Sequence, residues 1–220
     1  HYGLALAPAG RASEPNGEND KGRAQIASTQ RDLSAGLDYA EARDALERGE
    51  IDQAIGKLQA VIRQRSDAKD AYQQLGAVLA RKDETALREE AEELLRRGKH
   101  KEVEPLLRGY LGNRQQSWWA WYALGYSLFQ QQRIGESVQA LAKSLQLNVR
   151  NAEAHRVLGL DLMLIGRFDA AQVEFEQATR LNPKSAESFL HLGRLHSAQD
   201  TYAPARTAFE KAIELDPMYM

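Results

Sequence analysis

Apolar and small residues recur at a fixed interval of 34 positions in the second half of the chain. When residues 118–151, 152–185 and 186–219 are aligned, the seventh and eighth positions are Leu-Gly in all three copies. The twentieth and twenty-seventh positions hold Ala or Ser, and the twenty-fourth holds Leu or Phe. Apolar residues with a period near 3.6 predict amphipathic helices, two in each copy. One helix pair cannot cover its own apolar face, so we expect the copies to stack on one another.

A weaker form of the pattern extends toward the N-terminus in two registers. Residues 84–117 continue the later register, whereas 35–68 match the pattern mainly in their second half. The 15 residues 69–83 separate the two registers. A separate short helix could absorb them and would reverse the direction of all later helices; alternatively, 68–97 could form one long helix. We favour the long helix, because the joint contains neither Gly nor Pro.

The first 33 residues contain few large apolar side chains. Gly, Ala, Pro, Asn and charged residues dominate the segment, which therefore cannot bury enough surface to offset the entropy of ordering it. We expect a flexible tail that Leu4 and Leu6 could anchor, with helical order from near Ser34. The predicted domains are a tail over 1–33, a divergent repeat-like module over 34–83, and four in-register repeats over 84–220 (84–117, 118–151, 152–185 and 186–219).

The repeated positions resemble those of the tetratricopeptide repeat. That family has a 34-residue pattern of Leu-Gly, an aromatic residue, Ala, Phe, Ala and Pro. The matching residues are Leu158-Gly159, Phe168, Ala171, Phe175, Ala178 and Pro183 in one copy, and Leu192-Gly193, Tyr202, Ala205, Phe209, Ala212 and Pro217 in the next. The resemblance implies an all-α fold, a right-handed α-solenoid of antiparallel helix pairs with about five repeats. It also implies binding of other proteins, without identifying the partner.

The resemblance further implies that one stripe of each first helix lines a concave groove. In the repeat at 118 the four positions of this stripe are all aromatic, whereas Trp118 and Trp121 fall at core positions. Aromatic and arginine side chains dominate interface energetics, so we expect a protein or peptide partner with apolar or aromatic character. Burial of the stripe within the protein or by self-association stays open. The predicted groove residues are Trp119, Tyr122, Tyr126, Phe129, Arg156, Leu160, Met163, Leu190 and Arg194.

The family's basic clamp for C-terminal carboxylates is not expected in this chain. Its asparagines are missing, and the basic residues Arg156 and Arg194 are divided between two repeats. These two arginines could still pair with an acidic group on an otherwise apolar ligand.

Composition argues against several other functions. A net charge of −2, with 27% charged residues, lacks the basic excess typical of nucleic-acid binding. The chain contains no run of 18 apolar residues, so no membrane span is expected. The absence of cysteine excludes thiolate chemistry. His155 and His196 fall at core positions, and His191 falls at a peripheral one. We find no catalytic or metal-binding constellation, and we expect neither enzymatic activity nor a cofactor.

The sequence therefore predicts a non-enzymatic interaction scaffold. One alternative is a structural module that forms homo-oligomers; another is the targeting domain of a larger enzyme. The chain starts with His1 and ends without a polar capping helix, from which we expect a fragment or a protein that covers its last helix by self-association. A cytoplasmic location is slightly favoured over a periplasmic or secreted one.

Overall fold

The computed structural model describes residues 16–82 and 84–219, with side chains described from Asp20 onward. This part of the chain is all-α, as predicted, and contains no strand. The helices are α1 (Asn16–Glu47), α2 (Ile51–Gln64), α3 (Lys69–Leu79), α4 (Glu84–Arg96), α5 (His100–Leu111), α6 (Trp118–Gln130), α7 (Ile134–Leu147), α8 (Ala152–Leu164), α9 (Phe168–Leu181), α10 (Ala186–Ala198) and α11 (Tyr202–Leu215), followed by a 3₁₀ turn (Pro217–Tyr219).

The last six helices form three similar pairs, α6 with α7, α8 with α9, and α10 with α11. Each first helix starts at a side-chain cap: Ser117, Asn151 and Ser185 accept hydrogen bonds of 3.2 Å from the N–H three residues later. Such caps satisfy N–H groups that have no partner within the helix. The 34-residue spacing of the caps therefore fixes where each repeat begins.

Glycine brings the two helices of each pair together. A Cβ added at Gly125, Gly159 or Gly193 would lie 2.6–2.7 Å from a side-chain carbon of the second helix. The side chains that occupy this space are Leu141, Phe175 and Phe209, respectively. The Leu-Gly pair and the Leu or Phe position thus form one packing unit in each repeat.

The long helix expected over 68–97 is wrong, because α3 and α4 are separate. The N–H groups of Arg81 and Lys82 donate to the carbonyl oxygens of Val78 and Leu79, in the tight geometry that ends a helix. The Ala80 carbonyl oxygen, which a continuous helix would use internally, accepts a 2.7 Å hydrogen bond from Nε of Arg114. A residue that follows α5 therefore helps to end α3.

Because the single helix α4 lies between them in the chain, α3 and α5 run parallel, and they are in close contact. Tyr72 and Glu102, near the two N-termini, line one cavity, while Ala80 and Arg114 meet at the C-terminal ends. A Cβ added at Gly76 would collide with the backbone of Leu106. The two backbones therefore pack directly against each other. The division of 84–220 into four repeats stays a prediction, and its first unit packs differently from the other three.

Helix α1 begins at Asn16 and not near Ser34, so the expected tail is wrong for residues 16–33. Its second half packs on α2 through Ala35, Ala42 and Ala45, each at most 3% exposed. Residues 20–34 are all exposed. The expected contacts of Leu4 and Leu6 lie outside the described residues.

Candidate partner-binding groove

The three tryptophans at the start of α6 differ in burial from the sequence expectation. Trp119, predicted to line the groove, is 9% exposed and belongs to the core. Trp118 and Trp121, predicted to be core, are half-buried. The Arg88 guanidinium lies over the Trp119 ring, 5.0 Å from its centroid, and also contacts Trp118. Because α4 covers Trp119, this ring supports the groove and offers a partner little surface.

The other three aromatic residues of α6 are half-buried. The rings of Tyr122 and Tyr126 stack with their centroids 6.4 Å apart, and Phe129 packs on the same cluster. The Tyr126 hydroxyl accepts a 2.9 Å hydrogen bond from Nε2 of Gln130. Burial, with a smaller effect of the Glu153 carboxylate, raises the pKa of Tyr122 to about 12. Tyr122 therefore stays a neutral hydrogen-bonding group.

Helix α8 continues the apolar surface. Leu160 and Met163 are half-buried beside Phe168 and Leu192, and Leu190 of α10 is also half-buried. Side chains that are half-buried within the fold keep area that a partner can cover. The described structure thus brings an apolar stripe from α6 onto α8.

Arg156 joins α8 to α10 and is only 8% exposed. Its Nε and Nη2 donate to Oε2 of Glu153 at 2.9 and 2.7 Å, and its Nη1 donates to Oε1 of Glu187 at 2.8 Å. Burial disfavours the charged form, but the two carboxylates outweigh it and hold the pKa of Arg156 above its ordinary value. Sequence reasoning missed these acidic partners, although both occupy the second position of their repeats.

His191 is buried and not peripheral, which corrects the sequence expectation. Its ring stacks on Phe175 at 5.9 Å, and Nε2 lies 3.6 Å from Oε1 of Glu187. Burial, followed by the Arg156 charge, lowers the pKa of His191, which favours the neutral imidazole. Arg194 is exposed, and no carboxylate of the described residues lies within ion-pairing distance of it.

His155 is buried, as its position predicts. Its Nδ1 lies 2.6 Å from Oε2 of Glu174 and its Nε2 lies 2.9 Å from the Val149 carbonyl oxygen. Burial lowers the pKa of His155, but both hydrogen-bond partners raise it and the net direction is upward. His196, expected in the core, is only half-buried. Both imidazoles have structural contacts.

A buried carboxyl group lies behind the groove, and sequence reasoning did not single it out. Asp161 is fully buried, with Oδ2 2.5 Å from Oγ of Ser137, which also lies 2.9 Å from the Gly125 carbonyl oxygen. A hydroxyl has one proton, so both contacts are satisfied when a protonated Asp161 donates to Ser137 and Ser137 donates to Gly125. Burial raises the pKa of Asp161 to about 6. The sequence signal that could have indicated this buried carboxyl group is an acidic residue on an otherwise apolar segment between Leu158 and Leu162.

The described residues also bear on two other kinds of site. Their His, Asp and Glu side chains form no group of three that is arranged to hold a metal ion. None of the helices in 16–82 or 84–219 is long and apolar enough to cross a bilayer.

Stacked helix pairs with a partly exposed apolar groove define a class, the helical-repeat proteins that present a surface to other proteins. The model of the tetratricopeptide repeat matches residues 39–87, 88–154 and 156–218. The chain therefore belongs to the tetratricopeptide repeat family. Such repeats are typically non-catalytic and act as protein-interaction scaffolds.

Curated relatives match over part of the chain. The cell division cycle protein 27 homolog of Caenorhabditis elegans is 26% identical over 98 residues, which cover 44% of this chain and 12% of the relative. The protein O-mannosyl-transferase TMTC1 of Mus musculus is 29% identical over 91 residues, which cover 40% of this chain and 10% of the relative. The chain thus spans about a tenth of the length of these relatives.

Solved structures share the solenoid fold. A MamA structure from Desulfovibrio magneticus RS-1 is similar with a TM-score of 0.55 at 20% identity, covering 84% of this chain and 96% of that chain. YrrB, described as a tetratricopeptide repeat protein with an unusual peptide-binding site, is similar with a TM-score of 0.56 at 20% identity, covering 89% and 94%. At this identity, the similarity establishes the fold.

Proposed function

We propose that this chain is a non-enzymatic scaffold that binds a segment of another protein along the groove formed by α6, α8 and α10. The observation that carries the proposal is the half-buried apolar stripe of Tyr122, Tyr126, Phe129, Leu160 and Met163. These side chains keep exposed area, although they already pack on the fold. An extended segment can cover such a stripe with alternate apolar side chains, and a helical segment can cover it with apolar side chains three or four residues apart.

The charged residues of the groove have two different roles in this proposal. Arg156 is held by Glu153 and Glu187, so it braces α8 against α10 and does not pair with a ligand. Arg194 is exposed and positioned one turn beyond Leu190. A partner segment with apolar side chains over α6 and α8 and a carboxylate over α10 fits this arrangement.

The similarity to YrrB accords with the proposal, because that protein is described as having a peptide-binding site. Binding of such a segment requires no catalytic or proton-transferring side chain in the groove. Tyr122 stays protonated, His155 is engaged with Glu174, and His191 is buried against Phe175.

A displayed library of random linear peptides provides a direct test. Peptides selected on the wild-type chain are synthesised with a fluorophore and titrated by anisotropy. We expect Phe129→Ala combined with Met163→Ala to weaken binding by at least about tenfold, because both truncations remove partly exposed apolar area. Arg194→Ala should weaken only those peptides that carry an acidic residue.

Tyr202→Ala is the matched control. Tyr202 is 68% exposed on α11, away from the groove, and its truncation should leave the affinity unchanged. Thermal unfolding of each variant separates lost binding from lost structure. Peptides that bind the folded groove variant as tightly as wild type would show that the site lies elsewhere.

A further inference from the structure

The middle of α1 carries an apolar stripe that points away from the rest of the described structure. Ile26, Leu33 and Leu37 are 62, 66 and 67% exposed. At 3.6 residues per turn the three lie within an arc of about 40°. Ala35 and Ala42, which pack toward α2, lie on the opposite side of the helix. The stripe is therefore not a continuation of the α1–α2 contact.

The helix that carries this stripe is tied to the fold. Nε of Arg65, which follows α2, lies 3.7 Å from Oδ1 of Asp32. Thr29 and Arg31 donate hydrogen bonds to carbonyl oxygens of their own helix, at 3.0 and 3.3 Å. These contacts leave the apolar side of the helix uncovered by the described residues.

We propose that this stripe is the contact between two copies of this chain, with the two α1 helices packed antiparallel. A two-fold axis between Arg31 and Asp32 places Ile26 opposite Leu37 of the second copy, because 26 and 37 are equidistant from that point. Leu33 then packs near the axis against the same residue of the second copy. Such an interface is self-complementary, as a closed two-fold dimer requires.

Charge on the flanks of the stripe favours this antiparallel arrangement. Arg23 and Glu41 lie on the same flank, about 60° from the centre of the stripe. Antiparallel helices bring equivalent flanks together, so the axis between Arg31 and Asp32 places Arg23 within one residue, about 1.5 Å along the helix, of Glu41 of the second copy. Within its own chain Glu41 pairs with Lys57, while no carboxylate of the described side chains pairs with Arg23. Each dimer gains this pair twice.

The other flank is open to close approach. Gly22, Thr29 and Gly36 follow one another at intervals of seven residues. A Cβ added at Gly22 or Gly36 would meet nothing within 4 Å. In a parallel dimer this small-residue flank would face the flank of Arg23 and Glu41 and leave the charges unpaired. The antiparallel arrangement satisfies both flanks.

Sedimentation velocity of the full 220-residue chain over a concentration series tests the dimer. We expect the wild type to dimerise, and Leu33→Asp to weaken dimerisation by about a hundredfold, because it buries a carboxylate at the axis. Val173→Asp is the matched control, since Val173 is an exposed residue of α9 (54%). It should leave the dimer intact. Circular dichroism checks that each variant is folded.

A charge exchange tests the geometry. Arg23→Glu and Glu41→Arg should each weaken dimerisation, because each places like charges together across the axis. When the two variants are mixed, both contacts become opposite-charge pairs, so a heterodimer should form. A wild type that stays monomeric would overturn the proposal. A dimer that Leu33→Asp leaves intact would also overturn it, because the interface would then lie elsewhere. A mixture of the two charge variants that forms no heterodimer would overturn it as well.

Discussion

The α3–α5 contact and the regular pairs from α8 to α11 both depend on glycine, but for different reasons. In the regular pairs, Gly159 and Gly193 make room for the side chains of Phe175 and Phe209. Between α3 and α5, Gly76 and Gly109 make room for the backbone of the other helix. A side chain can rotate or be exchanged, whereas a packed backbone moves only with its whole helix. The parallel contact should therefore tolerate less change than the repeats that follow it.

Gly76→Ala should have the largest effect. The added Cβ would collide with the Leu106 carbonyl group, and separating the helices would open the core around Leu75 and Leu106. We expect a loss of about 3 kcal/mol or more in the free energy of unfolding, measured by urea denaturation. Gly159→Ala should cost about 2 kcal/mol, since Phe175 is fully buried, and Gly193→Ala about 1 kcal/mol, since Phe209 is half-buried.

Gly56→Ala is the control for this series. It lies in α2 with nothing within 4 Å of an added Cβ, so its substitution should stabilise the helix by about 0.5–1 kcal/mol. Equal losses at Gly76 and Gly193 would show that the backbone contact is no more demanding than the side-chain contacts.

The second contrast is between two neighbouring repeat interfaces. Ser137 and Asp161 occupy positions that the next interface fills with Ala171 and Leu195, and all four residues are fully buried. The pKa of Asp161 is about 6 in the folded protein, against 3.8 ordinarily. Between these values the unfolded chain releases a proton that the folded protein keeps. Stability from this group is therefore present below about pH 3.8 and is lost as the pH rises through about 6.

Asp161→Asn should remove this dependence. We expect the variant to exceed the wild type in the free energy of unfolding by about 2 kcal/mol at pH 7, and by little at pH 4. The amide can donate to Ser137 as the protonated acid does. Urea denaturation at a series of pH values measures the difference in the free energy of unfolding between variant and wild type. The contributions of the other titrating groups are the same in both proteins and cancel. A constant difference across this range would contradict a raised pKa at Asp161.

The smallest effect is expected at the turns between paired helices. Gln132 has φ 60° where the next repeat has Gly166 at 74°. A left-handed conformation costs a residue with a side chain about 1 kcal/mol. Gln132→Gly should therefore raise the free energy of unfolding by about 0.5 kcal/mol, measured as a shift in the urea midpoint, whereas Gly166→Gln should lower it. If Gln132→Gly and Gly166→Gln change the free energy of unfolding in the same direction, this interpretation is wrong.

The repeated part of the fold was predictable because its determinants are local. The Leu-Gly positions, the small residues and the two prolines all act within one repeat or on its neighbour. The break after α3 was not predictable in the same way, because Arg114, 34 residues away, takes the Ala80 carbonyl oxygen. The part of α1 before Ser34 was missed because a polar composition was taken as disorder. Residues 16–33 lack proline, and Ala, Gln and Arg, which favour helices, make up six of the nine residues from Arg23 to Arg31.

The burial of the side chains expected in the groove could not be predicted from the repeat positions alone. Trp119 has the same position in its helix as Glu153 and Glu187, but Arg88 of α4 covers it. Arg88 is the fifth residue of the repeat at 84–117, and the repeat pattern does not specify which side chain stands there or how much of the Trp119 ring it covers. His191 is likewise buried by Phe175 and Glu187, a combination that position alone does not indicate. Partner binding by the exposed remainder of the groove stays a prediction.

The parallel α3–α5 contact has a consequence for the two edges of the solenoid. Each helix reverses the chain, so an odd number of helices between two turns places the turns on opposite edges, and an even number places them on the same edge. The turn at Gly49 precedes α2, and the turn at Gly98 precedes α5, three helices later. These two turns therefore lie on opposite edges, while those at Gly98, Gln132, Gly166 and Asp200 share one. Fluorescent probes in the Gly49 and Gly98 turns would report across the height of the solenoid, about 20 Å for a 14-residue helix.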